Sequence, residues 1–242
     1  MNLPTAIPHL KAPLSLTICI SNVCQQRCRF CGINHDEVKP KFLAPETIQN
    51  MQWLKDVKDI CVCGSGEALT HPQYCDVIEA FRRMAPQSHI MLYTNGIGLH
   101  GKKLDATLKY CNTIHISQNA VDRKTYNTIM YKGNFERSMK NLEELAINKR
   151  DKDVIVKLSL VVLKETIPSI PKFIGLAKTY NFSEIELKLG RPPFRNYSYE
   201  MPASSYSVDV ANDINLSELK NLANRAHVKL SYLSLFHTQK KI

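Results

Sequence analysis

The chain has 242 residues, 44% of them hydrophobic, with 32 Lys and Arg against 22 Asp and Glu for a formal net charge of +10. That length suits one large domain or two small ones with a substantial core; no apolar run nears the roughly 18 residues of a membrane span, and the first thirteen residues, with Pro4, Pro8 and Pro13, lack a leader's apolar centre. The basic residues are scattered, with no basic and aromatic stacking motif, helix-turn-helix or zinc-finger pair, so the charge reads as a solvated surface or a field for an anionic substrate or acidic reductant protein. A cytoplasmic protein with neither a membrane nor a nucleic-acid partner is expected.

Short β-branched runs alternate with segments of helical period, the pattern of βα units on a parallel sheet. The first strand is expected at residues 14–20 and runs into Cys24, Cys28 and Cys31, three thiols within eight residues. Thiolates select zinc, copper(I) or iron-sulfur clusters. A four-iron cluster held by three cysteines leaves one iron open to a small molecule. His35, four residues beyond Cys31, offers the alternative of a closed Cys3His zinc site in a non-enzymatic binding module. The residues of this loop alone leave both open. All eight cysteines lie between Cys19 and Cys111, unlike the dense framework of a small secreted domain, and read as reduced thiols and metal ligands.

A helix follows at 45–55, with Pro45 in a first turn whose amides have no intrahelical partner anyway. The second strand, 57–63, ends in Cys63-Gly64-Ser65-Gly66-Glu67-Ala68, where Gly64 and Gly66 let carbonyls approach an ammonium and Glu67 can help hold it. Cys61 and Cys63, two apart, share a strand face and form a candidate hydrogen-donor pair. Strand cysteines more often pack as small buried hydrophobes, the reading preferred for these two and for Cys19, Cys75 and Cys111. A helix at 73–84 leads to a third strand, 89–94, that ends in Tyr93-Thr94-Asn95-Gly96, a turn signal. After a helix at 102–109, a fourth strand, 113–117, leads into Ser117-Gln118-Asn119, and His115 within it reads as a satisfied core histidine. A helix at 134–148, a strand at 154–163, a helix at 170–180 and a strand at 185–189 bring the total to six strands with five helices between them. Lys188, Arg191 and Arg195 follow as candidate partners for a substrate carboxylate or phosphate. Beyond residue 190, a stretch rich in Pro, Ser and Tyr precedes a helix at 217–226 and a possible strand at 228–233. The expected architecture is α/β, a partial (β/α)6 barrel over 14–190, with an arm at 1–13 and a short C-terminal extension, 191–242, capping the barrel.

The C-x3-C-x2-C run with Phe30 before its last cysteine, the Gly64 to Ala68 turn, Asn95, and Ser117 with Asn119 fall in order at the ends of successive strands. Together they resemble the radical S-adenosylmethionine (SAM) superfamily over about residues 14–189. Ser65 stands where the family's Gly-Gly-Glu-Pro motif has its first glycine, and Ala68 where it has proline. The resemblance implies a 4Fe-4S cluster on Cys24, Cys28 and Cys31, with SAM at the open iron. It implies the methionyl amine near Gly64, Gly66 and Glu67, the ribose or carboxylate near Ser117 and Asn119, and the adenine edge on main chain near Val162 and Leu189, with Phe30 and Asn95 in the same site. The implied activity is reductive cleavage of SAM to methionine and a 5'-deoxyadenosyl radical that takes hydrogen from a small anionic substrate. Modification of a peptide or protein side chain is the alternative. An electron donor such as flavodoxin or ferredoxin is the expected partner. Ligands of parallel βα barrels bind at the carboxyl ends of the strands. Zinc would not explain motifs aligned there, so the cluster is preferred and His35 is read as a loop residue. With no cysteine after Cys111, one cluster is expected.

Overall fold

The computed structural model describes residues 13–33, 35–192 and 201–232. In chain order its strands are β1 (Ser15–Ile18), β2 (Arg27–Cys28), β3 (Asp59–Val62), β4 (His89–Thr94), β5 (Thr113–Ser117), β6 (Met130–Tyr131), β7 (Ile155–Val162), β8 (Glu184–Leu189) and β9 (Lys229–Ser231). The α-helices are α1 (Pro45–Gln49), α2 (Tyr74–Met84), α3 (Gly101–Tyr110), α4 (Arg123–Ile129), α5 (Phe135–Asn148), α6 (Ile170–Thr179), α7 (Val210–Asp213) and α8 (Leu216–Ala226). Seven strands form one open sheet in the order β1-β3-β4-β5-β7-β8-β9, every neighbouring pair parallel, as in a partial barrel.

Strand alternation explains both faces. In β4, Ile90, Leu92 and Thr94 are buried while His89, Met91 and Tyr93 are half-buried, and β3 alternates in phase, with Ile60 and Val62 buried. Successive side chains of a strand point to opposite faces. The buried set joins apolar residues of α2, α3, α5 and α6 in one continuous core that includes Tyr74, Phe81 and Phe173. Each such side chain contributes about 1.5–3 kcal/mol of transfer free energy. The other face, carrying Cys61, Tyr93, His115, Ser117 and Ser159, is the inner wall of the partial barrel.

Three elements differ from expectation. The helix anticipated over 45–55 stops at Gln49, and a 3-10 turn spans Gln52–Asp56 after Met51 adopts φ −87° and ψ 70°. This break lets Ile48 and Leu54, which an unbroken helix would set on different faces, both sink into the core. The two-residue strands β2 and β6 form an antiparallel ribbon, Arg27 opposite Tyr131 and Cys28 opposite Met130. The tail does more than cap the barrel: β9 extends the sheet beside β8, α8 packs on α6, and the Met201 amide donates to the Arg29 carbonyl at 3.2 Å.

Candidate active site

The cysteine loop leaves β1 and is held at several points. Asn22 donates to the Lys39 carbonyl at 2.9 Å and accepts from the Lys41 amide at 2.7 Å. Arg27 reaches back to the Cys24 carbonyl at 2.7 Å while its Nε meets Asp36 at 2.8 Å. The ribbon fixes Cys28, and the Cys31 amide closes a turn on the Cys28 carbonyl at 2.9 Å. All three thiols line one cavity of about 370 Å³, with Gly64, Gly66, Glu67, Asn95, Ser117 and Asn119 on its other walls. That volume lies within the about 300–1,000 Å³ usual for small-molecule sites.

Burial pushes the Cys24 thiol up to about 11, Cys28 well above its ordinary value, and Cys31 upward. Isolated thiolates would be costly here, so the donor set calls for a positively charged metal group to hold it deprotonated. Among the described residues no three His, Cys, Asp or Glu side chains gather around a single-ion position. A four-iron cluster, which takes one thiolate at each of three separate irons, fits this looser trio better than tetrahedral zinc does. His35, read as a plain loop residue, in fact lies in the cavity with Nε2 3.8 Å from Cys31 Sγ.

The strand ends form a hydrogen-bonded rim. Glu67, 3% exposed, accepts from the Leu69 amide at 3.0 Å, the Thr94 hydroxyl at 2.6 Å and the Asn95 amide at 2.7 Å. Burial nevertheless raises its pKa, against the lowering effect of those three bonds. Asn95 in turn accepts from Gln25 Nε2 at 3.0 Å, and its own amide nitrogen lies 3.8 Å from Cys24 Sγ. Gly66 meets the chain that enters the cysteine loop: a Cβ there would strike the Ser21 carbonyl oxygen and come within 2.5 Å of the Asn22 carbonyl carbon. Asn119, in the left-handed region at φ 59°, accepts from the Val161 amide at 2.8 Å and so clamps β5 to β7. Ser117 and Ser159 face each other with their hydroxyls 3.4 Å apart.

Phe30 lines the cavity and packs against a buried cluster that includes Met130 and Met201. Val161 and Lys188 line the cavity; of the two positions expected at the adenine edge, Val162 has its side chain in the core and its carbonyl accepting from the Gly190 amide at 2.9 Å, and Leu189 packs against that core. Lys188 pairs with Glu186 at 3.0 Å and lies 5.1 Å from the Tyr93 ring centroid. Arg191 is exposed at the end of β8, and Arg195 lies outside the described residues. Tyr93, Ser159 and Val161 were not anticipated as site residues; Tyr93 lies two residues before Asn95, and Ser159 and Val161 reach the site through their register with Ser117 and Lys188.

Two readings of single residues need correction. Cys61 and Cys63 are not simply buried hydrophobes: both are half-buried, their sulfurs are 3.4 Å apart, and Cys63 lines the cavity. The hydrogen bond from Cys61 holds the Cys63 thiol below its usual range, aided by Lys188, and raises Cys61 correspondingly. Cys19 is exposed, Cys75 is half-buried, and Cys111 is buried as expected. His115 is buried but not satisfied: it stacks on Tyr93 at 4.2 Å, while its Nδ1 sits 3.8 Å from Glu186 without a hydrogen bond.

The family model of the radical SAM superfamily matches residues 18–177. A protein of Thermoplasma volcanium named probable GTP 3',8-cyclase is 26% identical over 221 residues, 88% of this chain and 66% of the relative. One of the same name from Saccharolobus islandicus is 23% identical over 176 residues, 71% and 55% of the two chains. The chain therefore spans between about half and two-thirds of these relatives' length. The crystal structure of Streptococcus suis SuiB bound to precursor peptide SuiA superposes with a TM-score of 0.69 at 15% identity, over 92% of this chain and 49% of SuiB, and shows the same fold. Radical SAM enzymes use a 4Fe-4S cluster and SAM, and act on small molecules or peptides. With two-thirds of its length matched by the family model, this chain belongs to the radical SAM superfamily.

Proposed function

We propose that this protein cleaves SAM reductively and uses the resulting radical to take hydrogen from a small anionic substrate bound at the inner wall of the partial barrel. A 4Fe-4S cluster held by Cys24, Cys28 and Cys31 would supply the electron that breaks a carbon-sulfur bond of bound SAM to give methionine and a 5'-deoxyadenosyl radical. The observation that carries this reading is the convergence of Cys24, Cys28 and Cys31 on one cavity whose far walls are the carboxyl ends of β3, β4, β5, β7 and β8.

The chain's own residues divide the remaining work. Cys24, Cys28 and Cys31 would hold three irons, and the ribbon at Cys28 keeps the trio from splaying. Glu67 uses three acceptor positions on Leu69, Thr94 and Asn95, which leaves one lone pair of Oε2 for the methionyl ammonium beside the Gly64 to Gly66 turn. Ser117 offers a hydroxyl to the ribose or carboxylate, and the strand ends at Val161 and Lys188 bound the adenosine side. Apolar walls at Phe30, Met130 and Val161 exclude water from a reactive intermediate.

Lys188, with Arg191 and Arg195 beyond it, supplies the positive charge for a carboxylate or phosphate, and the relatives named for a GTP reaction support a phosphate-bearing small molecule. Peptide modification is the second reading, supported by the likeness to peptide-bound SuiB. A flavodoxin- or ferredoxin-like donor, a cytoplasmic setting and no nucleic-acid partner complete the proposal. Among the described residues no helix is long and apolar enough to cross a membrane.

Anaerobic reconstitution tests it. The protein should turn brown, bind about four irons per chain, lose them on Cys28→Ala, and release 5'-deoxyadenosine from SAM when reduced. Stoichiometric zinc in a colourless protein would overturn the reading in favour of the Cys3His module.

A further inference from the structure

Resting on the radical reading above, we infer that Cys63, backed by Cys61, is the hydrogen-atom donor that quenches a carbon radical formed in the cavity. Its position is the first ground. Cys63 directly follows β3, immediately before the Gly64 to Glu67 turn, and lines the same cavity as the three cluster thiols, the space where a radical would arise. None of the roles assigned so far uses it.

The second ground is its company. Cys61 Sγ donates to Cys63 Sγ at 3.4 Å, and strand alternation keeps both sulfurs on the inner wall. A structural cysteine is ordinarily a lone small hydrophobe in an apolar setting. Here a second thiol stands beside the first at the edge of a reaction cavity.

The third ground is chemical selectivity. A thiol S–H bond is weaker than the C–H bond of an alkyl group, so hydrogen transfer from sulfur to an alkyl carbon radical runs downhill. Water, with its stronger O–H bond, cannot compete. Tyr93, whose ring also lines the cavity, is the rival donor within reach.

In the transfer, the S–H bond of Cys63 breaks homolytically, a C–H bond forms, and Cys63 is left as a thiyl radical. One electron from the same low-potential donor protein that reduces the cluster converts the thiyl to thiolate. That thiolate takes a proton from solvent, which restores the thiol for the next transfer. The cycle needs one reducing equivalent beyond the one used to cleave SAM, which marks the net reaction as a reduction of the substrate radical.

The substrate need not be known to test this, because SAM itself is the probe. In heavy water Cys63 carries exchangeable deuterium, and carbon-bound hydrogens of the protein do not exchange. Reduced, cluster-loaded protein given SAM alone should release 5'-deoxyadenosine carrying one deuterium; the label should be lost in Cys63→Ala and Cys63→Ser and retained in Tyr93→Phe. A second readout needs no turnover: without reductant, SAM should protect Cys63 from iodoacetamide, as seen by mass spectrometry of the modified peptide. Unlabelled product from the wild type, label that survives loss of Cys63 or vanishes only in Tyr93→Phe, or a Cys63 that SAM leaves open to alkylation would each overturn the assignment. A Cys63→Ser protein that forms no 5'-deoxyadenosine would overturn it too, by moving the thiol to SAM binding. Failure of the wild type to form any 5'-deoxyadenosine would instead sink the radical reading on which the assignment rests.

Discussion

Glu67 Oε2 accepts the Asn95 amide at 2.7 Å, and this one bond joins the turn after β3 to the end of β4. Because Asn95 also receives Gln25 and lies beside Cys24, the carboxylate organises the cysteine loop from beneath as well as facing the cavity. Removing it should therefore disturb more than one ligand contact.

Glu67→Ala leaves the Leu69 and Asn95 amides and the Thr94 hydroxyl without their acceptor in a buried setting. Each unsatisfied group costs about 1–3 kcal/mol. A total loss of at least about 3 kcal/mol, which corresponds to a fall of at least about 6 °C in Tm for a chain of this size, is expected by calorimetry, together with lower iron content after reconstitution. An unchanged Tm would show that Glu67 is not a strut.

Gly66→Ala places a methyl group against the backbone of Ser21, Asn22 and Val23, which is not the yielding end of a side chain. Overpacking of this kind costs about 1–3 kcal/mol. Iron binding should fall more than it does in Gly32→Ala, where a Cβ would meet nothing within 4 Å. Equal iron content in the two variants would refute the close approach.

Burial, reinforced by Lys157, holds His115 down to about 4 from an ordinary 6.5 despite Glu186. Between those values the unfolded chain binds a proton that the folded chain does not, so His115 lowers stability as pH falls from about 6.5 towards 4. In His115→Phe the denaturation midpoint should fall less steeply across that window than in the wild type. Parallel profiles would mean that other groups govern the acid limb.

The Cys61 hydrogen bond is the main cause of the lowered Cys63 pKa, with Lys188 a smaller one. Iodoacetamide labelling of Cys63 against pH should therefore show a midpoint below the ordinary thiol value of 9.0. The midpoint should rise in Cys61→Ala and rise less in Lys188→Met. A midpoint indifferent to Cys61 would dissolve the pair.

The sequence by itself determined the βα alternation, the C-x3-C-x2-C loop after the first strand and the order of turns at the strand ends, because each rests on local periodicity or on the backbone freedom of particular residues. The period of two said that Cys61 and Cys63 share a face, yet which face is core and which is cavity depends on where the helices pack, and only the tertiary structure decided that. The ribbon of β2 and β6 is two residues wide, too short to leave a periodic trace, and its pairing of Cys28 with Met130 spans a hundred residues of chain. The inner partners Tyr93 and His115 meet because β4 and β5 are neighbours in register, with Tyr93 directly opposite His115. Glu67 could be read as a ligand from its motif. That it is also a strut follows from Thr94 and Asn95 arriving beside it on a different strand, a non-local contact that no single stretch of sequence encodes.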